Sequence, residues 1–285
     1  MNDLISVIVS TYNREDALDA VLRALSRQSD RDFEIVVADD GSGPATARVV
    51  RQWAAKKTPS VTHVWHEDRG FRKSDILNRG IRVSAGAYIL LLDGDCIPRP
   101  GFVAAHRRLA EPGWFVTGNR ILLSADLTGR ILRQRLEPES WGFARWLAHR
   151  SRRQLNRVAP LLDLRLGVMR KLRTRRWRGA RGCNVAFWRA DLEKVDGFDS
   201  SFSGWGREDS DLFIRLIRAG VRRKDGTFAT AVLHLWHPEA DRSRLAENDR
   251  QLDEVLRSGR IAARWGLSGA AAEPPSSVGI GGDGR

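Results

Sequence analysis

Four short apolar runs, each closed by polar residues, constrain this chain more than any other feature. Residues 5–10 (ISVIVS), 33–40 (FEIVVADD), 61–68 (VTHVWHED) and 87–95 (AYILLLDGD) have the length and β-branched character of strands. Helical patterns follow the first three at 14–28, 45–56 and 73–86, with Leu18, Val21, Leu22 and Leu25 on one stripe of the first. Strands alternating with helices predict an α/β chain: a Rossmann-like, mostly parallel sheet with helices on both faces.

In such sheets a ligand lies outside the carboxyl ends of the strands. All four runs end there in polar groups: Thr11-Tyr12-Asn13, Asp39-Asp40, Glu67-Asp68 and Asp93-Gly94-Asp95. Four such ends predict a site. The first turn, STYNRED, has no Gly-rich fingerprint, which argues against a dinucleotide-binding Rossmann domain.

Each constellation has a chemical reading and a plainer one. Two carboxylates on the tight turn Asp93-Gly94-Asp95 repel unless water or a cation stands between them. A divalent ion bridging to phosphates is the common solution, a surface turn the alternative. Pro98 and Pro100 prevent that run from continuing as a central strand. Asp39-Asp40-Gly41-Ser42 suits base or ribose binding beside an ordinary turn. Phe71, Arg72 and Lys73 lead into a helix near Ser74, and a helix N-terminus with neighbouring cations suits a phosphate; a solvated basic turn is the alternative. His234 and His237, in AVLHLWHPE, are either structural or metal-facing, without the spacing of a zinc site.

The stretch FSGWGREDSDLFIRL (202–216) is denser. Leu212, Phe213, Leu216 and Ile217 form a helical face, with Gly220 as its stop. Glu208, Asp209 and Asp211 fall in the first turn, where the helix dipole favours negative charge, and for Asp211 that is the preferred role. Trp205, between two glycines, offers a flat apolar face for a sugar ring, and a carboxylate beside it suits a general base on a hydroxyl.

The chain is 285 residues long with 42% hydrophobic residues, enough for a proper core. Residues 1–240 are expected as a single domain, 241–267 as a helical extension and 268–285 as an unstructured tail rich in Pro, Gly and Ser. Cys96 and Cys183 form no disulfide framework. The net charge of +13 resides in residues 130–181, which hold 16 Lys and Arg against three acids, while the remainder has 32 of each sign. There Trp141, Phe143, Trp146, Leu147, Leu161, Leu162, Leu166 and Trp177 interleave with arginines, a composition suited to an interfacial helix on anionic lipid. An anionic acceptor, or a solvated basic face, would account for the same charge. The N-terminus shows no secretory signal, and no apolar run approaches the roughly 20 residues of a membrane span. The expected setting is cytoplasmic, with peripheral attachment to the inner face of the cytoplasmic membrane.

VIVSTYNRED, DDGS, GFRKSDILNRGI, LLLDGDCIPRPGFV, GCNVAFWRADLEKVDGFDSSFSGWGREDSDLFIRLIRAG and HLWHPE, in this order, resemble a family 2-type glycosyltransferase of the GT-A fold. The similarity is to its β-1,4-galactosyltransferase and bacterial chondroitin-polymerase branches, and it covers over half the chain. It implies a nucleotide pocket lined by Thr11, Tyr12 and Asn13, with Asp40 on the base, usually uracil, and Phe71 and Lys73 beside the nucleotide. Asp93 would touch ribose or a metal-bound water. Asp95 and His237 would bind Mn2+ or Mg2+, with His234 as a softer ligand. Trp205 and Glu208 would hold the acceptor sugar, with Asp209 as the base. Ser210 departs from the galactosyltransferases, which carry a third consecutive acid there, and this argues against an N-acetylglucosamine acceptor.

The resemblance implies an inverting transferase. Its donor would be a nucleotide diphosphate sugar such as a UDP-hexose or UDP-N-acetylhexosamine. Its acceptor would be a glycan or glycolipid such as a lipopolysaccharide or capsule precursor. Two rivals stand beside it. A sugar nucleotidyltransferase needs a Gly-rich, Lys/Arg-bearing loop after the first strand, which STYNRED is not. A nucleic-acid-binding protein explains the arginines but leaves the acidic motifs without a purpose.

Overall fold

The computed structural model describes residues 4–269. The tail expected at 268–285 therefore lies outside the described residues from 270 onward, while Ser268 is hydrogen-bonded to the Asp196 carboxylate through both its N–H and its hydroxyl. The chain begins as β1 (Ile5–Thr11), α1 (Glu15–Leu25), β2 (Phe33–Asp39), α2 (Pro44–Ala54), β3 (Val61–Trp65), α3 (Lys73–Val83) and β4 (Tyr88–Asp93). Pro44 sits in the first turn of α2, where its missing N–H has no intrahelical partner to lose. These strands pair in parallel in the order β3-β2-β1-β4.

The next elements are β5 (Cys96–Pro98), α4 (Phe102–Leu109), β6 (Trp114–Thr117), β7 (Arg120–Leu122), α5 (Ala125–Arg133) and α6 (Phe143–Ser151). Then come β8 (Asn184–Trp188), α7 (Arg189–Lys194), α8 (Glu208–Arg218), β9 (Arg222–Asp225), β10 (Val232–His234) and α9 (Leu245–Ser258). β8 runs antiparallel beside β4, and β6 and β9 complete a seven-stranded mixed sheet. A second sheet, β5-β10-β7, has β10 at its centre.

Side chains alternate across the main sheet, as the strand period requires. Val7, Val9, Leu90 and Leu92 pack in one cluster with Leu18 and Leu22 of α1, Val50 of α2 and Ile131 of α5. Ile8, Ile89 and Leu91 pack in the other with Ile76 and Ile81 of α3 and Leu212, Phe213 and Leu216 of α8. Both faces are thus covered by helices.

The differences from expectation occur where strands end. The fourth run stops at Asp93, turns, and resumes as β5 in the second sheet, where Pro98 lies on an edge strand. The third stops at Trp65, and His66 turns its ring onto Asp40. Nor is 130–181 one interfacial helix. Trp146, Leu161 and Arg170 are buried, and Arg170 donates to the carbonyls of Asp225, Thr227 and Leu164. Three of the residues counted toward a lipid face thus belong to the interior, whereas Val168, Met169 and Leu172 are exposed.

Candidate active site

A cavity of about 1120 Å³ opens at the carboxyl ends of β1, β2 and β4, and all thirteen candidate residues line it. One wall is the metal-type group. The turn after β4 is held by Gly94 N–H donating to the Ser10 carbonyl at 2.7 Å. In the second sheet His234 of β10 stands opposite Cys96 of β5, beside Asp95, and Leu235 N–H donates to the Asp95 carbonyl at 2.9 Å. The ligand atoms of Asp95, His234 and His237 consequently lie within 4.8 Å of one another.

The hydrogen bonding of His237 determines what this group can hold. Its Nδ1 lies 2.6 Å from the Pro238 carbonyl, which can only accept, so Nδ1 carries the proton. In the neutral ring Nε2 then presents a lone pair, 3.2 Å from an Asp95 carboxylate oxygen. Two lone pairs facing each other require a proton or a metal between them. A ring nitrogen donating to a backbone carbonyl is also how metal-ligating histidines are oriented. His234 lies 3.7 Å from Asp95. Burial lowers its affinity for a proton below the ordinary histidine value, and the Arg120 charge acts the same way against the pull of Asp95. A neutral ring is the form that ligates metal.

A second wall is a charge cluster built around Lys73. Lys73 Nζ donates to Asp93 Oδ1 at 2.6 Å, and the Ser10 hydroxyl donates to the same oxygen at 2.9 Å. Burial pulls the Lys73 ammonium toward neutrality, but Asp93, Asp209 and Glu208 outweigh it and hold its pKa above the ordinary value. Burial likewise works to raise the Asp93 carboxyl, yet Lys73 and Ser10 bring it below its usual range.

Asp209 and Glu208 open α8, where the free N–H groups favour acids. Asp209 Oδ2 accepts from the Gly182 N–H at 2.8 Å, while Oδ1 is buried with no partner. A Cβ at Gly182 would overlap the Asp209 carboxylate and displace it. Burial and the Asp93 charge raise the Asp209 carboxyl, against Lys73 and Gly182. Glu208 Oε2 is also unpartnered, and burial together with the Asp209 charge pushes its pKa to about 7. Asp211 lies apart from this cluster. It is fully buried against Arg215, at 2.7 Å, and Arg260, and serves the packing of α8.

The nucleotide-side candidates are held by one another. Asp40 accepts from His66 Nε2 at 2.7 Å and from the Arg72 N–H at 3.0 Å, so its carboxylate is already oriented. Asn13, at φ +47°, accepts from Gly43 N–H at 2.9 Å and donates its own N–H to Ser42, stapling the two turns together. Tyr12 is half exposed and donates to Asp68 at 2.9 Å. The Thr11 hydroxyl is buried with no partner, Phe71 is half-buried, and the Trp205 ring is 38% exposed. Sequence reasoning missed Arg120 of β7, Arg181, Gly182 and Arg242, which also line the cavity. Among 48 Lys and Arg, no pattern marked those arginines.

The chain belongs to glycosyl transferase family 2, whose family model matches residues 6–175, and the N-terminal domain of galactosyltransferase matches residues 168–237. Both matches enter the basic segment 130–181. Over 231 residues the chain is 32% identical to validoxylamine A glucosyltransferase of Streptomyces hygroscopicus subsp. limoneus, covering 76% of this chain and 49% of that one. Over 250 residues it is 26% identical to chondroitin synthase of Escherichia coli, covering 80% and 34%. It spans about half the length, or less, of these curated relatives. Among solved structures, a mannosyltransferase of Pyrobaculum calidifontis in complex with GDP-Man and Mn2+ matches at TM-score 0.57 and 21% identity, covering 94% of this chain and 73% of that one. S. aureus TarS 1–349 in complex with UDP matches at TM-score 0.59 and 15% identity, covering 93% and 68%. The mixed sheet is thus a GT-A fold.

Proposed function

We propose that this glycosyltransferase is inverting and divalent-metal-dependent, and that it moves a hexose or N-acetylhexosamine from a uridine diphosphate donor to a glycan or glycolipid acceptor. The observation that carries this reading is the convergence of Asp95, His234 and His237 ligand atoms within 4.8 Å of one another, in the same cavity as an unpartnered oxygen of Asp209. Structures of the same fold that bind GDP-Man with Mn2+, and UDP, support it. Asp95, His237 and His234 would hold Mn2+ or Mg2+, which when bound neutralises charge on a departing diphosphate.

This chain's own residues do the rest. Thr11, Tyr12, Asn13, Asp40 and Phe71 receive the nucleoside, while Lys73 keeps Asp93 ionised beside it. The Trp205 ring supports the acceptor sugar and Glu208 positions it. Asp209 Oδ1 takes the acceptor hydroxyl proton as that oxygen bonds to the anomeric carbon. The bond to the diphosphate breaks on the opposite face, so configuration inverts. Nucleotide release from a panel of UDP- and GDP-sugars, with Mn2+ and again under EDTA, tests this directly. Metal-dependent release of UDP is expected; release that ignores EDTA sinks the metal, and release of GDP alone sinks the donor class.

We also infer that residues 162–178 meet an anionic bilayer. Val168, Leu172 and Met169 are 83%, 77% and 60% exposed. Arg165, Arg173, Arg175, Arg176 and Arg178 are exposed around them, with no carboxylate partner among the described residues. Apolar side chains ringed by cations suit a lipid surface, each cation contributing about 1 kcal/mol. No helix among the described residues is long and apolar enough to cross a membrane. Co-sedimentation with anionic but not neutral vesicles is expected. Binding should weaken in high salt and in the Arg173→Ser, Arg175→Ser, Arg176→Ser, Arg178→Ser variant. Indifference to both vesicle types rules out the bilayer and leaves a soluble anionic acceptor.

A further inference from the structure

The two family matches end by residue 237, yet the chain beyond them forms part of the cavity wall, through Glu239, Arg242 and Leu245. What that segment touches is the loop that carries Trp205. Gly204, Gly206 and Arg207 sit there at φ +75°, +107° and +78°, left-handed positions in a loop that belongs to no strand or helix. One backbone bond, Gly204 N–H to the Phe71 carbonyl at 3.3 Å, reaches it from the nucleotide side.

The remaining support comes from α9. The Asn248 carboxamide, 1% exposed, donates to the Ser203 carbonyl at 3.1 Å and to the Gly206 carbonyl at 2.9 Å, straddling Trp205. The next residue, Asp249, pairs with Arg207 at the foot of α8. The Arg242 guanidinium lies over the Trp205 ring, 5.1 Å from its centroid, and is itself held by Glu239 at 3.1 Å. A Cβ at Gly204 or Gly206 would press on Arg244 or Leu245, so the loop lies flat against this segment. The helix is anchored separately: Leu252 and Val255 pack on Phe202 and on Ile214 of α8.

We propose that α9 clamps the Trp205 loop and that Asn248 is a positioning residue, its two N–H donors fixing the Trp205 ring and the entry to Glu208 and Asp209. The positioning role rests on Trp205 as the acceptor platform; the clamp itself does not. An amide is suited to the task because it can donate twice, and alanine would leave two carbonyls without their partner.

Hydrogen–deuterium exchange on the full chain tests the clamp without any substrate. In Asn248→Ala, the amides of 203–207 should exchange at least about tenfold faster, with β1 and β4 unchanged. Affinity for UDP with Mn2+ should stay within about twofold, since the nucleotide side is untouched. Leu252→Ala, which loosens packing and removes no loop hydrogen bond, should lower the melting temperature without the localised exchange. Unaltered exchange at 203–207 in Asn248→Ala overturns the clamp. For the positioning role, UDP release from UDP-glucose should fall about tenfold in Asn248→Ala, but less than about twofold when Trp205→Ala is already present. Equal losses in both backgrounds overturn that role. A wild-type protein that releases nucleotide from no donor would instead overturn the proposed function, with the exchange result still deciding the clamp.

Discussion

The two walls of the cavity hold similar acids in opposite electrostatic conditions. Asp93 and Asp209 are provided with a cation by the chain itself: Lys73 touches Asp93 at 2.6 Å and its charge reaches Asp209. Asp95, two residues from Asp93, has instead two imidazoles, one of which directs a lone pair at it. The first wall has a cation of its own, and the second is complete only with a proton or a metal ion. Two carboxylates of one turn are thus given different partners, a lysine for Asp93 and two imidazoles for Asp95, by elements distant in the sequence.

Substitutions that exchange these conditions should have graded effects. The largest is expected at Asp95→Ala, which removes the anionic ligand and should reduce turnover below detection in the nucleotide-release assay; measurable turnover with normal metal dependence would place the cation elsewhere. Asp209→Asn keeps shape and the Gly182 contact but cannot accept a proton at neutral pH, and should cost about 10²–10⁴-fold in rate with nucleotide affinity preserved. Should that variant transfer sugar at the parental rate, Glu208 becomes the base. Gly182→Ala displaces the same carboxylate without changing its chemistry, and about 10²-fold is expected from misplacement alone. An unaffected rate would mean that the Asp209 position does not matter.

The smallest effect is one of stability. The Glu208 carboxyl is raised from 4.5 to about 7, so between those values the folded state keeps a proton that the unfolded state has released. Folding stability therefore falls as pH rises through this window, by up to about 1.4 kcal/mol per unit, and levels off above it. In urea titrations the advantage of Glu208→Gln over the parent should grow from pH 4.5 to 7 and then hold constant. A pH-independent difference would show that Glu208 is not protonated in the fold.

The parallel half of the sheet was legible because β1, β2 and β4 are buried on both faces and hence nearly continuous apolar runs. The other strands were not. β8 follows a basic stretch, and β5, β7 and β10 have three residues each, too short to show a period. The candidate residues came from motifs and their expected roles from the family resemblance, but the contacts that hold each side chain were not legible. Nothing local in LLLDGDCIP says that Asp93 meets Lys73 while Asp95 meets His237, since those partners come from α3 and from the chain after β10. The basic segment misled for a related reason. Composition counts Trp146 and Leu161 as available to lipid, whereas packing buries them and leaves out Val168 and Leu172.

Calorimetric titration of UDP, with Mn2+ and after EDTA, into the parent, Asp95→Ala and Asp209→Asn proteins compares the two walls most directly. Parent and Asp209→Asn should bind alike and lose at least about tenfold in affinity, roughly 1.4 kcal/mol, when the metal is removed. Asp95→Ala should be weak and indifferent to Mn2+. A parent protein whose UDP affinity ignores EDTA, or an Asp209→Asn protein that loses its metal response together with Asp95→Ala, would contradict the division between a metal wall and a proton wall.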